Sequence, residues 1–93
     1  MNSIYIYILQ STINPRFHVI YSLDLGQQPR YIGSILYSNA KQQYIGYTVF
    51  GSPLELDIVS SSLPRVINKL KKLCKSPYIF IEVEEAKKLS LLF

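Results

Sequence analysis

The chain has 93 residues, 48% of them apolar and 17% charged, with a formal net charge of +4 and a pI near 9.3. That length fits a single small domain, 1–93, and the composition lies outside that of disordered chains. One cysteine, Cys74, and one histidine, His18, exclude an intramolecular disulfide and a cysteine- or histidine-rich zinc site, so no cofactor and no metal are expected.

Ile4-Tyr5-Ile6-Tyr7-Ile8 alternates with period 2 and predicts a strand with the isoleucines on one face and Tyr5 and Tyr7 on the other. Asn14-Pro15 breaks the pattern. Phe17 to Tyr21 resumes it as a hairpin partner, Phe17, Val19 and Tyr21 on one side and His18 and Ile20 on the other. Residues 24–30 contain Gly26 and Pro29 and read as a loop. Tyr31 to Tyr37 and Tyr44 to Phe50 then form a second hairpin around the turn Ser38 to Gln42; each opens with Tyr-Ile-Gly, an echo of strand chemistry rather than a structural repeat.

Two patterns compete over residues 51–61. Ser52-Pro53-Leu54-Glu55 spells a capping box, whereas Leu54 to Val59 alternates as a strand does. A short helix or turn is the preferred reading. From residue 62 the period changes: Leu63, Val66, Ile67, Leu70, Leu73 and Cys74 share one helical face, with serines 60–62 to cap it and Ser76-Pro77 to end it. Tyr78 to Glu84 predicts a last strand with Ile79, Ile81 and Val83 inward and Tyr78, Phe80 and Glu82 opposite, followed by a short apolar tail, 86–93. The expected fold is therefore α+β: a mainly antiparallel sheet of about five strands, with one amphipathic helix, about 62–75, packed on one face.

Two surfaces are candidates for function. The helix carries Arg65, Lys69, Lys72 and Lys75 with no acid between Arg65 and Lys75, a pattern that suits a phosphate backbone and equally a solvated face. Tyr5, Tyr7 and Tyr44 are candidates to stack unpaired bases, and Tyr31, Tyr37, Leu89, Leu92 and Phe93 are candidates for protein contact. No nucleophile and base, phosphate-cradling glycine loop or paired-acid arrangement is present, and Cys74 lies on the apolar helix face; no enzyme is expected.

Three short segments resemble known motifs. Ile4-Tyr5-Ile6-Tyr7-Ile8-Leu9 and Gly46-Tyr47-Thr48-Val49-Phe50 resemble the aromatic strands of the RNA-recognition motif, but residues 10–30 show no helical period where that family has its first helix. Tyr-Ile-Gly resembles half of the GIY-YIG nuclease signature; the other half is missing. Lys88-Leu89-Ser90-Leu91-Leu92-Phe93 is similar to peptides that bind the bacterial sliding clamp, with Lys88 in place of the usual glutamine, and docking on its own sheet or a second subunit is the preferred role. None identifies the chain.

No apolar run reaches the roughly 18 residues that cross a bilayer, and Met1 to Leu9 lacks a basic start and a cleavage site, so a cytoplasmic protein with no membrane partner is expected. The abundance of Ile, Tyr, Lys, Asn and Ser is what AT-rich genes encode. The expected function is a small non-catalytic protein-interaction module, of the kind that phages and plasmids use as regulators or inhibitors, acting as a homo-oligomer or on a protein partner. The alternative is a basic nucleic-acid-binding protein using the helix cations and the sheet tyrosines.

Overall fold

A computed structural model describes residues 3–90. Six strands form one mixed sheet in the order β5-β4-β3-β2-β1-β6: β1 Ile4–Gln10, β2 Phe17–Asp24, β3 Arg30–Ser38, β4 Gln43–Thr48, β5 Val59–Ser60 and β6 Tyr78–Phe80. Neighbours pair antiparallel except β1 and β6, which run parallel. The sheet curls into a half-barrel. Helix α1, Leu63–Leu73, lies on its inner side and touches the two edge strands, β5 and β6. Helix α2, Val83–Leu89, lies on the outer side against β1.

The α+β class agrees with expectation, and the details correct it: six strands rather than five, one parallel pair, and a helix on each face. A parallel β6 is possible because α1 supplies the crossover that returns the chain alongside β1. Placing α1 over both edges also covers the unpaired strand groups that would otherwise recruit a further strand.

The inner face holds the larger core. Ile6, Ile20, Ile32, Ile35, Leu56, Ile58, Val66 and Leu70 are buried together, with Ile8, Tyr44, Tyr78 and Phe80 packed against them. Cross-strand register produces this set: Ile8 pairs with Ile20, and Ile20 with Gly33, so their side chains share a face. A register shift between Ile20 and Tyr21 leaves Ile32 without a partner and turns its side chain into the same core.

Segment 51–58 opens on a turn, the Ser52 amide donating to the Val49 carbonyl at 3.0 Å, and contains no helix; beyond the turn its alternation is the signal that holds. Ser52 turns back on its own chain, its hydroxyl donating to the Leu54 carbonyl at 2.7 Å, and caps nothing. Residues 54–58 cross the inner face of β3 and β4 as an extended strap, with Leu56 and Ile58 buried and Glu55 and Asp57 exposed. The Gly46 amide donates to the Ile58 carbonyl at 2.8 Å, and the Leu56 amide donates to Thr48 Oγ1 at 2.8 Å. Two glycines let the strap lie this close. A Cβ on Gly46 would collide with the Leu56 carbonyl, and one on Gly33 with the Leu56 side chain.

α1 starts at Ser62, whose hydroxyl accepts from the Arg65 amide at 3.4 Å, with Pro64 in its first turn. Val66 and Leu70 are fully buried, each worth about 1.5 to 3 kcal/mol relative to exposure. The predicted strand Tyr78–Glu84 stops at Phe80, and its phase is the reverse of the expected one. Parallel register sets Tyr78 opposite Ile4 and Phe80 opposite Ile6, which turns both aromatics inward and leaves Ile79 44% exposed. The predicted tail also changes character, since its first residues, Ala86 to Leu89, belong to α2; Leu92 and Phe93 lie outside the described residues.

Because the obstruction at Gly46 is backbone and cannot rotate away, Gly46→Ala is expected to cost about 1 to 3 kcal/mol of unfolding free energy. Urea denaturation checks this: the midpoint should fall with no change in slope.

Candidate functional site

The outer face of the sheet is divided. Over β1 and β2, α2 covers Tyr5, Tyr7, Tyr21 and Leu23 with Ile81, Val83 and Ala86. Tyr7 is 1% exposed, its ring stacked on Tyr21 at 5.4 Å, and burial together with the neighbouring Tyr21 pushes its phenol up to about 12. Beyond α2 the face is open. Successive register pairs form one row, Phe17–Leu36–Ile45–Val59, and a second, Leu9–Val19–Ser34–Tyr47. Leu36, Val59 and Tyr47 are 36%, 43% and 52% exposed, and Tyr31 stands beside them, tilted against Tyr21 at 6.4 Å.

No Asp, Glu, Lys or Arg occupies an outward position in these rows. Ser34, small and buried between Val19 and Tyr47, makes a shallow dip among larger side chains. The surface is apolar and neutral on a chain of net charge +4. Contiguous apolar patches of this type on soluble proteins are where other molecules attach.

The expected site residues are scattered over both sides of the sheet. Arg65, Lys69, Lys72 and Lys75 are exposed on or just after α1, on the inner side. Lys69 is held on the protein, its Nζ donating to the Val59 carbonyl at 2.6 Å. Tyr5 and Tyr7 lie on the outer side beneath α2, so the cations and these tyrosines do not form one surface, and the buried Tyr7 ring has no face open to a base. Tyr44 is on the inner side, in an edge-to-face pair with Tyr37 at 4.9 Å, and Arg16 sits over the Tyr37 ring at 4.7 Å. Of the expected protein-contact residues, Tyr31 belongs to the open outer face, Tyr37 does not, and Leu89 is partly exposed at the end of α2.

Sequence reading missed Leu36, Ile45, Tyr47 and Val59 as surface residues. The available signal was their alternation with the inward-facing Ile35, Gly46 and Ile58. Glycine at an inward position hides that alternation, because it removes the apolar side chain that would mark the buried phase.

No group of three or more His, Cys, Asp or Glu residues among the described ones has the placement to hold a metal ion. The Cys74 thiol is pushed up to about 11 by burial, which keeps it protonated. No helix among the described residues is long and apolar enough to cross a membrane. Comparison with protein-family models, curated proteins and solved structures gives no match.

His18 is 5% exposed on the inner side, its ring 6.3 Å from Tyr44 and its Nε2 without a hydrogen-bond partner. Burial lowers its pKa below the ordinary 6.5. The unfolded chain therefore binds a proton that the folded chain refuses. The resulting stability is complete above the unfolded value and is lost as pH falls from there toward the lowered native value. His18→Leu is expected to flatten the pH dependence of the urea midpoint below about pH 6.5. It should also leave stability at pH 7.5 unchanged or raised, because the orphaned nitrogen disappears.

Proposed function

We propose that this protein is a small non-catalytic interaction module that works by protein–protein contact, and that the neutral open part of its outer face is the contact surface, occupied by a second copy of the chain. The observation carrying this reading is the patch around Leu36, Ile45, Tyr47 and Val59, apolar and uncharged while the rest of the surface is cationic overall. A surface without cations offers no phosphate contact to a nucleic acid and no counter-charge to an acidic partner. A second copy meets that surface with no like-charge repulsion, as a two-fold contact requires of a self-complementary patch.

The shape supports the same occupant. Helix α2 lies on the outer side against β1 and flanks the open part without covering it. Two copies laid open part to open part meet sheet on sheet, the packing in which faces lie about 10 Å apart. Strand addition is the less suited mode, because β5 has two residues, β6 has three, and α1 touches both. A regulator or inhibitor of the sort carried by mobile elements fits a module of this size, with dimerisation as the step that presents its remaining surface.

Sedimentation velocity across a range of concentrations tests the reading. The chain is expected to dimerise reversibly, with little change when salt is raised, and Leu36→Glu/Tyr47→Glu is expected to remain monomeric with an unchanged circular dichroism spectrum. A wild-type chain that stays monomeric throughout overturns it. So does oligonucleotide binding, read by fluorescence anisotropy, that falls steeply with salt and disappears in Arg65→Gln/Lys72→Gln, which would establish the nucleic-acid reading instead.

A further inference from the structure

The inner side contains one place where polar groups gather against the aliphatic core. Beside the β2–β3 connection lies a cavity of about 180 Å³, lined by Ile4, Ser22, Asp24, Gln27, Arg30 and Tyr78 among others. Register explains the grouping. Ser22 and Asp24 are two residues apart on β2 and share a face; Arg30 on β3 pairs with Ser22; Ile4 pairs with both Asp24 and Tyr78.

Ser22 lines this cavity, and its hydroxyl makes no hydrogen bond among the described residues. One feature is unexplained by folding. Asp24 and Arg30 are diagonal neighbours across β2 and β3, within reach of a direct ion pair, but none forms among the described residues; the Arg30 guanidinium donates instead to the Gly51 carbonyl at 3.1 Å. The cavity is thus flanked by an unpaired carboxylate and a guanidinium with donors to spare.

We propose that this cavity binds a small zwitterion of the α-amino-acid class. Asp24 accepts from the ammonium group, Arg30 donates to the carboxylate, and the Ser22 hydroxyl completes the contact with either. A simple cation would meet Arg30 and a simple anion would meet Asp24, so only a ligand carrying both charges satisfies both walls. The volume sets the size. A cavity of about 180 Å³ has room for an alanine-sized molecule with its short side chain toward Ile4 and Tyr78.

The test is titration of the ¹⁵N-labelled chain with L-alanine, L-serine and glycine, with propionate and propylamine as singly charged controls. Saturable shifts are expected around Ser22, Asp24 and Arg30, with the controls at least about tenfold weaker. Asp24→Asn and Arg30→Gln should each weaken alanine binding about tenfold or more without altering the unfolding midpoint, and Ser22→Ala should weaken it less. Absence of saturable shifts at about 10 mM of each amino acid, where a millimolar site would be mostly filled, overturns the proposal, as does equal binding of propionate or propylamine. The result is independent of the contact surface, since Leu36→Glu/Tyr47→Glu alters the opposite face and should bind alanine as the wild type does.

Discussion

The structure depends on how closely the strap of residues 54–58 approaches the sheet. Leu56 reaches the inner core only because Gly33 and Gly46 present no side chain beneath it, and the hydrogen bond from Gly46 to Ile58 then ties the strap to β4. With the strap in place the chain arrives at β5, from which α1 crosses to β6 and closes the half-barrel. A sheet of this length, left open, would expose its inner isoleucines and both edges. The strap and α1 together bury the former and occupy the latter.

The same closure accounts for the unequal faces. The central inward positions of β1 to β3 are spent on one aliphatic core, which leaves the outward ones, largely aromatic and β-branched, to be covered by whatever chain remains. Only α2 is available among the described residues, and its seven residues cover Tyr7 and Leu23 but not the rows that run from β2 to β5. Small proteins bury a modest share of their surface, so an uncovered apolar face is a natural outcome of the size of the chain. Its neutrality is not forced by folding, because outward positions tolerate lysine or glutamate without loss of core packing. That distinction is what sets this face apart from an ordinary exposed one.

The tyrosines illustrate how far residue type can mislead. Eight are present, and the period-2 pattern places Tyr5 and Tyr7 correctly on the side away from the isoleucines. It does not reveal that α2 covers that side, which converts Tyr7 from a surface ring into a core ring. Tyr44 and Tyr78 go inward because cross-strand register, rather than their own polarity, assigns their phase. An edge strand of three residues has too short a pattern to announce its phase, and the partner strand imposes it.

Two local patterns match the structure. The apolar stripe of Leu63 to Cys74 with its serine cap specifies α1, and the alternation in Ile4 to Ile8 and Phe17 to Tyr21 specifies a hairpin, because helix and strand periods are properties of a few consecutive residues. Over 51–61 two local signals conflicted, and the contact with Gly33 and Gly46, distant in sequence, settled the matter in favour of an extended chain. Tertiary structure alone decided the parallel β6, the second helix, the burial of Tyr7, and the meeting of Ser22, Asp24 and Arg30 around one cavity. Each of these is a relation between segments that the chain brings together only on folding, and no period within a single segment records it.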